Sequence, residues 1–369
     1  MRPMIPLFMP RRRIDVHNAL IIALLVAIAE LVLRQHTLAQ ATTYTVVELS
    51  TADAGLVPCR LNNLGDFVGR VGDSGAMLWS HGSSKPKHLG VLRGGEYSSG
   101  FAINDAGEVA GASNTATSIV PFMWNTTGGL QRISLLPGDN CGQGFGINKY
   151  GHLVGYSSGP SGSRAFLWTR STGVRSLGSL PGGSYSRARA VNDSDEVAGT
   201  SAGPAGERAV LWTKTGNVRD LGTLPGDTSS EATAINNASV VVGYSKGPGG
   251  LHAFLWTAAS GMQNLGVLPG GNSSRALDIN DLGAVVGSSA SSSGDHAFIW
   301  TEQTGMTDLN GAASAALGVV FVEAHSINST GVILVMGKAM PSGETGVPED
   351  HDCSPAPPSS FLLIPTSAQ

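Results

Sequence analysis

The chain has 369 residues, enough for one large or two ordinary domains, and its 41 % apolar and 6 % aromatic content can build a core. Charged residues are only 14 %, against about 25 % in an average globular protein, while Gly is 50 of 369, about twice its usual share. A formal net charge of −4 without a basic domain argues against a polyanion binder, so no nucleic-acid partner is expected.

In chain order, the first element is a processing segment. Arg2 and Arg11–Arg13 give a basic start, Ala19–Ala29 is an apolar run, and Ala39-Gln40-Ala41 is a small-x-small site. That order is the layout of a secretory signal peptide. Glu30 and Arg34 interrupt the apolar stretch, leaving Ala19–Leu33 shorter than the ~20 residues of a spanning helix. Residues 1–41 are therefore expected to be a signal peptide, with the mature chain secreted or periplasmic and without a stable membrane span. An uncleaved N-terminal anchor is the alternative.

Next comes a short strand, Tyr44–Leu49, and then a repeat. The tryptophans fall at 79, 124, 168, 212, 256 and 300, with spacings of 45, 44, 44, 44 and 44. An aliphatic-Asn pair keeps step with them, at Asn62, Asn104, Asn148, Asn192, Asn236, Asn280 and Asn328. The unit reads A-x-x-I-N-x-x-G-x-V-V-G-x-S, then H-A-F-L-W-T, then G-x-x-x-L-G-x-L-P-G-G. The I-N-x-x-G piece predicts a hairpin turn, in which Asn bonds nearby backbone and Gly supplies positive φ. V-V-G-x-S and A-F-L-W predict two buried strands. T-x-x-x-T-G predicts a second turn, and the run before L-P-G-G a further strand. Proline cannot donate to a ladder, so L-P-G-G is a loop.

Four antiparallel strands per ~44 residues describe a propeller blade. The seventh Asn unit, at Asn328, has no Trp after it; Phe361–Ile364 takes the place of A-F-L-W, and no fourth strand follows. Tyr44–Leu49 is the missing strand. The expected fold is thus all-β, a seven-bladed β-propeller over residues 42–369, closed by pairing of the N- and C-terminal strands. A six-bladed ring with an imperfect end is the rival. A stacked solenoid fits less well, because hairpin turns favour antiparallel pairs. Phe122, Phe166, Phe254 and Phe298, two residues before Trp, are expected in the core between blades.

These units resemble the extracellular HAF-repeat family, on His252-Ala253-Phe254, His296-Ala297-Phe298, Arg164-Ala165-Phe166 and the loops Leu180–Gly183 and Leu268–Gly271. Asp308-Leu309-Asn310 and Phe361–Pro365 resemble that family's closing unit. The resemblance covers nearly everything after residue 44. It implies an exported bacterial protein of propeller-like fold, without an assigned activity. Val210 in place of Phe, and Asp195 and Ser239 in place of the turn Gly, depart from the pattern.

In a repeat protein, function is sought where repeats differ at equivalent positions. Five residues before each Asn stand Val57, Ser99, Gln143, Arg187, Glu231, Arg275 and Glu323. On a propeller they would ring one mouth of the axial channel. Two readings stay open: neighbouring exposed ion pairs worth about 0–1 kcal/mol each, or a polar pocket for a small ligand or glycan formed by Ser99, Gln143, Arg187, Glu231, Arg275 and Glu323. The insertion Lys338–Ser360 carries Glu344, Glu349, Asp350, His351, Asp352 and Cys353. Its donors are adjacent and its prolines many, so a solvated acidic loop is expected, not a metal site. Cys59, Cys141 and Cys353 are an odd set, which leaves at least one thiol free. Cys59 in the first blade and Cys353 in the seventh would be ring neighbours able to bridge.

No G-x-S-x-G elbow, H-E-x-x-H, P-loop or helix-opening G-x-G-x-x-G occurs. No catalytic residue, cofactor or metal is assigned. The expected function is non-enzymatic: a binding or interaction scaffold presenting a loop face to a glycan, polymer or partner protein. An extracellular polysaccharide hydrolase or lyase with its site at the axis, and a purely structural surface protein, are the alternatives.

Overall fold

The fourth repeat shows how the sequence becomes a blade. Ser186–Val191 is the innermost strand, followed outward by Val197–Gly203, Gly206–Trp212 and Val218–Asp220. They hydrogen-bond in that order as one antiparallel sheet. Between the first two, Asp195 N donates to Asn192 O at 3.1 Å and Asn192 N to Glu196 O at 3.0 Å, closing the expected turn. The third and fourth strands are joined through Thr213, whose amide meets Asn217 O at 2.9 Å.

The structure is a computed structural model, and it describes residues 43–49, 56–72, 75–83, 85–339 and 359–366. Within them are seven four-stranded sheets. Their innermost strands are Leu56–Leu61, Ser98–Ile103, Cys141–Ile147, Ser186–Val191, Ser229–Ile235, Ser274–Ile279 and Val319–Ile327. The described residues belong to one compact unit, Thr43–Gln369. Residues 1–41, expected to be a signal peptide, lie outside them, as do residues 340–358 of the insertion. Among the described residues no helix is long and apolar enough to cross a membrane.

The seventh sheet takes its outer strand from the other end of the chain. Tyr44–Glu48 pairs antiparallel with Ser359–Pro365, from Tyr44 opposite Pro365 to Glu48 opposite Phe361. Leu49 N and Thr366 N extend the pairing, each at 2.8 Å, to Ser360 O and Thr43 O. Seven closed blades replace the six-bladed rival, and all strand pairs are antiparallel, which removes the solenoid.

The core lies in the seams. Each of the seven apolar clusters joins residues of two adjacent blades. One joins Leu167 to Val197, Val210 and Trp212; another joins Leu211 to Val241, Phe254 and Trp256. Phe122, Phe166, Phe254 and Phe298 are wholly buried, because a sheet with two apolar faces must be covered on both. Val210 takes the same place, also wholly buried. The tryptophans are less uniform: Trp168 and Trp300 are half-buried.

Every innermost strand carries a β-bulge three residues before its Asn, as at Phe145, between Gly144 and Gly146, and at Arg189, between Ala188 and Ala190. The bulge explains the invariant-looking Gly of V-V-G. A Cβ on Gly155 would stand 1.9 Å from Gln143 O, and one on Gly199 2.1 Å from Arg187 O. Only a residue without a side chain allows the backbones to approach so closely.

The repeated Asn does more than the expected local turn. Each Oδ1 accepts two backbone N–H groups of its own turn; for Asn192 these are Ser194 N and Glu196 N, both at 3.0 Å. Each Nδ2 donates to the main-chain carbonyl of the next blade's Asn: Asn62 to Asn104, and so on through Asn148, Asn192, Asn236, Asn280 and Asn328, which returns to Asn62 at 3.2 Å. All seven are buried. Serines tie the seams further out. Ser186 Oγ, for example, accepts from Ala165 N at 3.0 Å and donates to Gly178 O at 2.8 Å in the preceding blade.

One element was not anticipated. A short helix, Ala312–Ala316, enters the seventh blade where other repeats have L-P-G-G. Asn310 anchors this link by exchanging two 2.8 Å hydrogen bonds with the Phe321 backbone.

Candidate axial site

The bulges change the phase of the innermost strands, so their last residues turn toward the axis. The position two before each Asn contributes from all seven blades to an axial cavity of about 190 Å³. In four successive blades that residue is Ala102, Gly146, Ala190 or Ala234, and these small side chains leave the space. On the other side stand Arg60, Asp278 and Ser326. Arg60 Nη1 is 2.5 Å from Asp278 Oδ1. Asp278 Oδ2 accepts from Ser326 Oγ at 2.9 Å and Ile327 N at 3.0 Å. One carboxylate therefore ties the first, sixth and seventh blades together.

Two bulge residues also reach the cavity, Phe145 and Arg189. The Arg189 guanidinium lies 4.8 Å from the Phe145 ring centre and pairs with Glu231 at 3.0 Å. Phe145 in turn packs against Phe101 at 5.4 Å and Tyr156 at 5.8 Å. The cavity thus has an aromatic ring from the third blade and charged groups from the first, fourth and sixth.

The six residues expected at a mouth sit further back along the same strands, and none of them lines this cavity. Arg187 is exposed, its guanidinium 5.1 Å from the Tyr156 ring centre. Glu231 joins Arg189 and accepts from Tyr244 Oη at 2.7 Å. Arg275 is 6.0 Å from the Tyr244 ring centre. Glu323 Oε1 is 2.7 Å from His325 Nε2. Burial, and then the Glu231 charge and hydrogen bond, push the Tyr244 phenol above its ordinary range. Ser99 Oγ and Gln143 Oε1 are buried and have no hydrogen-bond partner among the described residues. Thr200 Oγ1, on the strand position opposite Arg187, is in the same condition.

Sequence reasoning missed Arg60, Phe145, Arg189 and Asp278. The signal was available, since positions two and three before Asn also vary between repeats. Alternation counted back from Asn without the bulge points to the wrong residues.

Cys59, a bulge residue, is disulfide-bonded, and Cys141 is free. The Cys59–Cys353 expectation involves a residue outside the described ones.

The chain matches no protein-family model and no curated protein by sequence. Solved structures resemble it in shape. Virginiamycin B lyase from Staphylococcus aureus superposes with a TM-score of 0.55 at 12 % identity, over 88 % of this chain and 99 % of that one. An oligogalacturonate lyase from Vibrio parahaemolyticus gives 0.52 at 12 % identity, over 89 % and 98 %. An oligogalacturonate lyase in complex with manganese gives 0.52 at 13 % identity, over 88 % and 97 %. At such identities the likeness is one of fold alone. The chain is a seven-bladed β-propeller, a fold that hosts many unrelated activities.

Proposed function

We propose that this is an exported, non-enzymatic binding protein of the HAF-repeat type, which holds a glycan or other hydroxylated polymer at the loop end of its axis. The observation that carries the reading is the set of orphaned oxygens on successive blades, Ser99 Oγ, Gln143 Oε1 and Thr200 Oγ1, of which Gln143 stands opposite Tyr156 and Thr200 opposite Arg187 of the Arg187–Tyr156 stack. Buried polar atoms are normally hydrogen-bonded, so unmatched ones mark places for water or for a ligand's hydroxyl groups. An aromatic ring beside convergent polar groups suits the apolar face and polar rim of a sugar. Export is supported by the order of charge, apolar run and small residues before Thr42.

The test is retention of the purified protein on a panel of immobilised polysaccharides, with the Arg187→Ala, Arg275→Ala double variant alongside. Retention without products, weakened at least about tenfold in the variant, is expected. Reducing ends or unsaturated sugars released from a soluble panel would instead establish a hydrolase or lyase. No retention and no products would leave a structural surface protein. N-terminal sequencing of the exported chain tests cleavage near Ala41.

A further inference from the structure

We infer that the polymer held at the loop end is an acidic polysaccharide, whose carboxylate or sulfate groups are received by Arg187 and Arg275. The inference rests on the preceding reading of that end and names the class of its ligand. Arg187 belongs to the fourth blade and Arg275 to the sixth, at the same place in the repeat. Each guanidinium lies over a tyrosine ring of the blade before it, 5.1 Å from the centre of Tyr156 and 6.0 Å from that of Tyr244. One arrangement thus occurs twice around the axis.

These two cations have no carboxylate of their own. Beyond the ring contacts, neither Arg187 nor Arg275 makes an ion pair or hydrogen bond among the described residues. Arg189, two residues along from Arg187, is the contrast, since it is paired with Glu231 at 3.0 Å. The acidic members of the same ring are likewise taken up. Glu231 holds Arg189 and accepts from Tyr244 Oη, and Glu323 stands 2.7 Å from His325 Nε2. Glu207, which feels Glu231, is opposed by Lys246. The unmatched charges of this ring are therefore positive, and a net charge of −4 spread over the whole chain is screened from them beyond about 8 Å. A guanidinium held over a ring face keeps its N–H edge free, and that planar fork matches the oxygens of an oxyanion. The ring contact also orders the side chain before the ligand arrives, which lowers the entropy cost of binding. Thr200, with its orphaned Oγ1, stands opposite Arg187, so one strand pair offers an acidic sugar both a charge and a hydroxyl partner.

Isothermal titration of the purified protein with oligosaccharides of alginate, dextran sulfate and dextran, of matched length and at about 0.15 M salt, tests the inference. An acidic chain is expected to bind at least about tenfold tighter than dextran. Whichever of the two acidic chains binds tighter identifies the group as carboxylate or sulfate. The Arg187→Gln, Arg275→Gln variant keeps amide donors but removes both charges, and should bring the acidic chains to the level of dextran. Arg132→Gln makes the same kind of change on an exposed outer strand and should leave the preference intact. If the double variant fails to fold by circular dichroism, Arg187→Gln decides, because that side chain is exposed; it should reduce the preference at least about threefold. A preference that survives the loss of these arginines, an equal loss in Arg132→Gln, or duplex DNA bound as tightly as the acidic glycans would each overturn the inference. Dextran bound as tightly as the acidic chains would overturn it and leave the glycan reading standing. Binding of none of the three would also overturn it, and retention on the wider range of polysaccharides then decides the glycan reading alone.

Discussion

At the scale of single residues, two positions show how a side chain or its absence holds the ring. Asn192 is buried, feeds two N–H groups of its own turn and reaches the Asn236 carbonyl at 3.2 Å. Asn192→Ala strands those groups. At about 1 kcal/mol per net hydrogen bond, more where a buried group is left unpaired, the loss should be about 2–4 kcal/mol in urea unfolding. Gly155→Ala sets a Cβ 1.9 Å from a backbone oxygen, and neither backbone can yield without breaking the ladder. It should cost about 3 kcal/mol or more. A useful contrast is Gly283, at φ +82 with no heavy atom within 4 Å of a Cβ. Gly283→Asn should cost no more than about 1–2 kcal/mol. The protein itself supports this, since Asp195 and Ser239 hold the same turn position at φ 61. Each uses its side chain across the seam: Asp195 Oδ1 meets His152 Nδ1 at 2.6 Å, and Ser239 Oγ donates to Glu196 at 2.5 Å.

At the scale of elements, the closing strand is the one whose loss opens the ring. Tyr44–Glu48 is short and has only one neighbouring strand, but its Tyr44 ring packs into the cluster around Phe321 and Phe361. Burial pushes the Tyr44 phenol up to about 12. The unfolded chain ionises near the usual pH of about 10, so folding is unaffected by this group below that pH. Between about pH 10 and 12 the unfolded state loses its proton and the folded state keeps it, so stability falls as pH rises. Tyr44→Phe should flatten that part of the stability curve, read as thermal midpoint against pH. The same element explains how much was legible beforehand. The truncated seventh repeat and the unassigned strand at Tyr44–Leu49 predicted the pairing that the register from Tyr44–Pro365 to Glu48–Phe361 shows. The helix Ala312–Ala316 carried no periodic signal, being only one turn and a half long, and it was not foreseen.

At the scale of the whole molecule, seven similar seams and a closed Asn ring make unfolding a collective event. Phe254, wholly buried in one seam, should cost about 3–5 kcal/mol as Phe254→Ala. The loss should appear as one shifted transition by both fluorescence and circular dichroism, because an opened blade exposes the faces of its two neighbours. Two separated transitions would show that the blades unfold independently, as in an open repeat array. The periodic residues, by themselves, determined strand order, blade number and closure. Each blade repeats one local pattern of turns and alternating burial, and such patterns are readable along the chain. Only the tertiary structure decided which side chains meet at the axis. A bulge shifts the inward face without changing a residue's place in the repeat, and the Arg60–Asp278 pair joins positions 218 residues apart that adjoin only once the circle is closed.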